Sequence, residues 1–127
     1  MDTHFPWIAV VDDEEPVRRA LMRLLRSEQL AARDFGSGAE FLAALPEGAP
    51  YCVILDLNMP LVSGFEVLDT LARLAPDLPV IVATAEPSPA ARSRVLRHPL
   101  LAYLPKPMND SVLLAAIRSL QRGAHHA

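Results

Sequence analysis

Short apolar runs alternate along this chain with longer stretches in which apolar residues recur at helical spacing. The runs WIAVV, YCVIL, VIVAT and LLAYL contain no charged residue, which is typical of strands buried on both faces of a parallel sheet. A more polar run, AARDF, predicts an edge strand. The predicted strands are therefore Trp7–Val11, Ala31–Phe35, Tyr51–Leu55, Val80–Thr84 and Leu100–Leu104.

Helix start signals stand at the head of the intervening stretches. Proline is favoured in a first helical turn, serine three residues before glutamate forms a capping box, and asparagine or aspartate caps the first backbone N–H groups. These signals are found at Pro16, Ser37, Ser63, Ser88 followed by Pro89, and Asn109 or Asp110. Five strands that alternate with five helices predict a doubly wound α/β fold.

Composition narrows the class of protein. A chain of 127 residues that is 51% hydrophobic can bury a real core, so we expect one domain over residues 1–127 with its core in about residues 7–121. A net charge of −3 gives no general attraction to nucleic acid or to an anionic membrane. The lone cysteine, Cys52, excludes an intrachain disulfide and is expected in the core. With neither a signal peptide in MDTHFPW nor an apolar run of ~20 residues, a cytoplasmic protein is expected.

Polar side chains follow four of the five predicted strands. They are Asp12 and Asp13 after the first, Asp56 and Asn58 after the third, Thr84 at the end of the fourth, and Lys106 after the fifth. Because folds of this class bind ligands at the carboxyl ends of the strands, we expect these groups to converge. Three carboxylates brought together repel by several kcal/mol at ~4 Å and require a positive charge among them. Oxygen ligands favour Mg²⁺, and the whole set suits phosphoryl transfer to an aspartate.

These segments, in this order, resemble the receiver domain of two-component response regulators. The matching stretches are VVDDEE, VILDLNMPLVSGFE, VIVATA and YLPKP, and the resemblance runs from about Trp7 to Leu120. It implies a flavodoxin-like fold with a five-stranded parallel sheet in the order 2-1-3-4-5 and five helices. In such a domain Asp56 accepts a phosphoryl group from a sensor histidine kinase or a phosphotransfer protein.

The resemblance also implies how the switch is read. Phosphorylation changes the face made by helix 4, strand 5 and helix 5, and this change controls a downstream effector domain or protein. The domain catalyses only its own phosphotransfer and autodephosphorylation and is otherwise not an enzyme. From its charge and length we also expect this chain to bind neither nucleic acid nor a membrane directly.

A metal site is implied at the acidic residues. Mg²⁺ or Mn²⁺ is held by the carboxylates of Asp13 and Asp56 and by the backbone carbonyl of Asn58. Asp12 acts on the metal through water.

Further residues are implied to contact the phosphoryl group or to follow it. Lys106 contacts its oxygens, and Thr84 hydrogen-bonds them after the transfer. Tyr103 is the aromatic residue whose rotamer follows Thr84. The peptide bond between Lys106 and Pro107 is cis.

Other positions bear on the lifetime of the phosphoryl group and on the shape of the helix 4 region. Asn58 and Glu86, two residues beyond Asp56 and Thr84, are implied to tune autodephosphorylation, and the pair predicts a short-lived phosphoaspartate. The family has a Gly-Ala pair before strand 5, where this chain has Pro99 and Leu100. Together with Pro87 and Pro89 these residues predict a short helix 4 between rigid loops.

Two other functions stay open at this point. A receiver-like interaction module would signal without phosphorylation, but every position of the predicted site is filled. A small aspartyl-phosphate phosphatase needs a nucleophilic aspartate on the first strand and an acidic aspartate two residues later, whereas Asp12 is followed by Asp13 and Glu14. A DNA-binding effector domain needs ~50 or more further residues, so we expect a single-domain regulator or an excised receiver.

Overall fold

The computed structural model describes residues 7–59, 63–85 and 88–124. Its strands are Ile8–Val11 (β1), Ala32–Phe35 (β2), Cys52–Asp56 (β3), Val80–Thr84 (β4) and Leu100–Pro105 (β5). Its helices are Glu15–Ser27 (α1), Gly38–Ala44 (α2), Gly64–Leu74 (α3), Pro89–Val95 (α4) and Asp110–Ala124 (α5). A short 3₁₀ turn, which was not predicted, follows α2. The predicted alternation of strands and helices is confirmed, and each strand begins and ends within about one residue of its predicted bounds.

The sheet has five strands, all parallel, in the order β2-β1-β3-β4-β5. This confirms the order implied by the resemblance. Val11 pairs with Leu55, and Asp56 pairs with Ala83. Because the strands are all parallel, their carboxyl ends meet along one edge of the sheet, and a single register shift between Val80 and Ile81 interrupts the pairing of β4 with β5.

Alternate residues of each central strand enter two separate cores. Ile8 and Val10 pack with the apolar residues of α1 and α5, whereas Ala9 and Val11 pack with those of α2, α3 and α4. Burial on both faces explains why these strands read as unbroken apolar runs. Cys52 belongs to the first core, where burial raises the pKa of its thiol to about 12, so the prediction of a core cysteine is confirmed.

Two of the predicted helix starts were expected to be capping boxes, and the structure forms one of them in full. Ser63 accepts from the backbone of Glu66, and the Glu66 carboxylate accepts from the backbone of Ser63. Ser37 accepts from Glu40, but the Glu40 carboxylate turns to the backbone N–H of Gly36 at 3.1 Å. The prediction of a full capping box at Ser37 is therefore wrong, because the Glu40 carboxylate accepts from the backbone N–H of Gly36 where the box requires that of Ser37.

Helix α4 has only seven residues, which confirms the predicted short helix. Its Arg94 guanidinium lies 4.1 Å from the ring centroid of Phe65 on α3. His98, which follows α4, has its Nε2 3.3 Å from Asp69 Oδ1 on α3. Pro87 lies outside the described residues. Within the three described ranges, no helix combines the length and apolar character needed to cross a membrane.

Candidate functional site

The carboxyl edge of the sheet brings together the groups that the sequence placed at the strand ends. Asp12 follows β1, Asp56 ends β3, Thr84 ends β4 and Lys106 follows β5. Asp12 and Asp56 are each 2% exposed, and Thr84 is 1% exposed. Buried polar groups at this edge have to be compensated by one another or by a ligand.

Lys106 supplies positive charge to this buried acidic group. Its Nζ lies 2.7 Å from Asp12 Oδ2, 3.3 Å from Glu14 Oε1 and 3.4 Å from Asp56 Oδ2. Burial disfavours the charged ammonium, but the hydrogen bond to Asp12 and the neighbouring carboxylates outweigh this effect and raise the pKa of Lys106. The ammonium is therefore held in place before any ligand arrives.

The Asp56 carboxyl binds a proton more readily than an ordinary aspartate does. Burial raises its pKa to about 6, and the nearby charge of Asp12 adds to this increase. The Asn58 backbone N–H, which donates to Asp56 Oδ1 at 3.0 Å, and the Lys106 ammonium both oppose it. A group that carries more positive charge than one ammonium would favour the ionised form further.

The acidic residues form a cluster that suits a divalent cation. Oxygens of Asp12, Asp13, Glu14 and Asp56 lie within 4.8 Å of one another. Asp13 and Glu14 are exposed and the other two are buried, so the cluster opens to solvent on one side. A set made only of oxygen donors fits the hard cations Mg²⁺ and Mn²⁺. Glu14 was not among the predicted ligands, although it directly follows the predicted pair.

Thr84 is bound to a neighbouring side chain in this structure. Its Oγ1 donates to Asn58 Oδ1 at 2.9 Å, and the backbone N–H of Ala85 donates to the same oxygen at 3.3 Å. The Asn58 amide therefore joins the ends of β3 and β4. This contact between two predicted site residues was not foreseen from the sequence.

The loop after β5 has the predicted backbone geometry. The peptide bond between Lys106 and Pro107 is cis, as the resemblance implied. The Lys106 N–H donates to the Thr84 carbonyl at 2.8 Å, which ties this loop to the end of β4. Tyr103 is half-buried on β5, and its hydroxyl is buried without a hydrogen-bond partner among the described residues.

Two further residues support the site and were missed as contributors to it. Arg18 of α1 donates from Nη1 to the Asp12 carbonyl at 2.8 Å and from Nε to Asp34 at 3.1 Å. Gly64 opens α3 so close to β3 that a Cβ there would lie 2.5 Å from the Asp56 carbonyl oxygen and from Leu57 Cα. A glycine at the start of a helix was the available signal for Gly64, whereas nothing in the sequence distinguishes Arg18 from the other α1 arginines.

The structure thus brings together Asp12, Asp13, Asp56, Asn58, Thr84 and Lys106 at one edge of the sheet. Tyr103 lies further down β5. Glu86, the second predicted lifetime residue, lies outside the described residues.

Comparison with known protein families agrees with this fold. Residues 8–118 match the response regulator receiver domain. The chain belongs to this family, and its class is that of the receiver domains of two-component signal transduction.

Two of the curated relatives are longer than this chain. Response regulator MprA of Mycobacterium sp. (strain KMS) is 37% identical over 115 residues, which are 91% of this chain and 50% of MprA. Transcriptional regulatory protein FixJ of Rhizobium meliloti (strain 1021) is 32% identical over 119 residues, which are 94% of this chain and 57% of FixJ. The chain spans about half the length of these curated relatives.

A solved structure gives the same result for the fold. The response regulator receiver protein from Burkholderia phymatum is 42% identical to this chain and superposes with a TM-score of 0.78. The match covers 91% of this chain and 94% of that one. The receiver fold predicted from the sequence is therefore confirmed.

Proposed function

We propose that this chain is a phosphorylation-dependent switch in which Asp56 accepts a phosphoryl group. The observation that carries the proposal is the placement of the Asp56 carboxylate at the end of β3, buried, 3.4 Å from the Lys106 ammonium and inside the acidic cluster. Membership of the receiver family supports the same role. The proposal treats residues 1–127 as one receiver domain.

The acidic cluster is proposed to hold Mg²⁺ or Mn²⁺. Asp13, Asp56 and the Asn58 carbonyl would bind the cation directly, and Asp12 would act through water. A divalent cation supplies charge that neutralises the attacking carboxylate and the transferring phosphoryl oxygens. The pKa of the Asp56 carboxyl is about 6 without metal, and the charge of the cation would favour its ionised form.

The remaining residues act on the phosphoryl group after its transfer. Lys106 would move its ammonium from the carboxylates to the phosphoryl oxygens, which carry more negative charge. Thr84 would exchange its contact with Asn58 for one with the phosphoryl group. Tyr103, on the strand next to β4, would change rotamer with Thr84, and the face of α4, β5 and α5 would change with it.

The same proposal specifies the partners of the domain and the lifetime of its phosphoaspartate. The donor would be a phosphohistidine of a sensor kinase or a phosphotransfer protein, and the changed face would control an effector domain or protein. Asn58 and Glu86 would admit the water that ends the signal, so that the domain catalyses its own dephosphorylation. A cytoplasmic location is proposed, which suits such partners.

Acetyl phosphate labelling, followed by intact mass, tests this function. With Mg²⁺, the wild type is expected to gain one phosphoryl group and the Asp56→Asn variant none, while removal of Mg²⁺ should slow the gain strongly. An interaction module that works without phosphate would gain no mass in any sample. An aspartyl-phosphate phosphatase would hydrolyse an added phosphomonoester and would lose this activity on Asp12→Asn. A receiver would not hydrolyse the phosphomonoester at all.

A further inference from the structure

The Lys106 ammonium has a third carboxylate partner, Glu14, in addition to the two buried aspartates. Beside its contacts with Asp12 and Asp56, Nζ donates a hydrogen bond to Glu14 Oε1 at 3.3 Å. The hydrogen bond to Asp12 is shorter, at 2.7 Å, and the distance to Asp56 is longer, at 3.4 Å. In this state the ammonium is thus no closer to the proposed acceptor than to Glu14.

Glu14 differs from the other partners of Lys106 in its surroundings. Its side chain is 60% exposed, whereas those of Asp12 and Asp56 are 3% and 2% exposed. Its backbone is fixed, because it precedes the first residue of α1 and its N–H donates to Asp12 Oδ1 at 2.9 Å. The two buried carboxylates already compensate the ammonium, so Glu14 adds a third contact from the solvent side.

We infer that Glu14 is a positioning residue that holds Lys106 in the unphosphorylated protein and so opposes its movement to the phosphoryl group. The inference rests on the proposed role of Asp56 as acceptor. A contact that exists only in the starting state favours that state by its own free energy. Because the pair is exposed on the Glu14 side, its effect on the equilibrium is modest, about two- to fivefold.

Binding of beryllofluoride, a mimic of the phosphoryl group, at saturating Mg²⁺ measures this effect. Glu14→Gln keeps the shape of the side chain and removes its charge, and it should tighten beryllofluoride binding about two- to fivefold. In a Lys106→Met background the same substitution should change nothing. Glu15→Gln is the matched control. It removes the same charge from the next residue of the chain, whose carboxylate pairs with Arg19 at 3.0 Å.

A second measurement uses the fact that Lys106 is the only lysine of the chain. Selective labelling of lysine with ¹⁵N therefore gives one side-chain nitrogen signal by NMR, that of Nζ, and this signal needs no assignment. In the metal-free protein Glu14→Gln should shift this signal and Glu15→Gln should leave it in place. This result decides the matter if Lys106→Met binds beryllofluoride too weakly to measure.

The outcomes separate this inference from the function on which it rests. If the wild type binds no beryllofluoride with Mg²⁺, the proposed function fails and the role of Glu14 fails with it. If the wild type binds but Glu14→Gln binds no tighter, only the role of Glu14 fails. Equal tightening in the wild-type and Lys106→Met backgrounds would also overturn the role of Glu14. The effect would then come from the loss of a negative charge near the site and would not involve Lys106.

Discussion

The Thr84 hydroxyl donates a hydrogen bond to Asn58 Oδ1 at 2.9 Å, and this contact links the ends of β4 and β3. Asn58 is itself held to the acceptor candidate, because its backbone N–H donates to Asp56 Oδ1 at 3.0 Å. One residue therefore contacts both the group proposed to receive the phosphoryl group and the hydroxyl proposed to bind it afterwards. From these two contacts we expect Asn58 to restrain the unphosphorylated state.

Removing the Asn58 amide should weaken the hold on Thr84. In unphosphorylated Asn58→Ala, the NMR signals of Thr84 should move towards their positions in wild type bound to beryllofluoride. The loss of the hydrogen bond should lower the free energy of unfolding by about 0.5–1.5 kcal/mol. Asn109→Ala is the matched control, since it removes an amide that accepts from Val112 at 3.0 Å and should leave Thr84 unmoved. Unchanged Thr84 signals in Asn58→Ala would contradict the restraint.

The stability of the metal-free protein should depend on pH through Asp56. Its pKa is raised from 3.8 to about 6 in the fold, so between these values the folded state binds more protons than the unfolded state. The stabilisation from this group is therefore complete below about pH 4 and is lost as the pH rises through about 6, by up to about 3 kcal/mol. Denaturation with a chelator present should show wild type losing stability relative to Asp56→Asn over this range. A constant difference would show that the carboxyl is not shifted.

Charge at the acidic cluster should couple folding to the metal. Asp13→Ala removes one of four neighbouring carboxylates, so we expect it to raise the melting temperature of the metal-free protein. The same variant should lose the stabilisation that Mg²⁺ gives to the wild type. Asp77→Ala removes an exposed carboxylate in the turn between α3 and β4 and should keep the full response. A Mg²⁺ response that survives in Asp13→Ala would refute its role as a ligand.

Gly64 should be needed for the close approach of α3 to the acceptor strand. A Cβ at this position would meet backbone atoms of Asp56 and Leu57 at 2.5 Å, and backbone cannot move aside as a side chain can. We expect Gly64→Ala to cost about 1–3 kcal/mol and to slow labelling by acetyl phosphate. Gly36→Ala is the control, because the atoms nearest to its Cβ would be side-chain tips of Arg18 and Glu40, both at 3.3 Å. Equal losses in both variants would show that the backbone contact is unimportant.

The architecture could be predicted because its determinants are local in the sequence. The run from Ile8 to Val11 is apolar throughout because its alternate residues enter two cores, and that pattern predicts a central strand. Parallel strands then force Asp12, Asp56 and Lys106 to one edge, whatever their distance along the chain. The cis bond before Pro107 came from the family resemblance and not from this pattern.

The contacts within the site could not be predicted in the same way. Glu14 and Lys106 are 92 residues apart, and Asn58 and Thr84 are 26 apart. Side-chain rotamers and distances of a few tenths of an ångström decide which carboxylate an ammonium contacts. They also decide the orientation of a side-chain amide. The Glu40 carboxylate shows the same limit over a short range, because it binds Gly36 where a capping box required Ser37.

Locating the phosphoryl group in the chain tests the central claim most directly. After reaction with acetyl phosphate and Mg²⁺, borohydride reduces an aspartyl phosphate to homoserine, which peptide sequencing by mass spectrometry then identifies. We predict homoserine at position 56 in the wild type, much less of it after the same reaction time when Mg²⁺ is withheld, and none when Asp56 is replaced by Asn. Homoserine at position 12 or 13, or no homoserine in a protein that gained mass, would contradict the assignment of Asp56 as the phosphoryl acceptor.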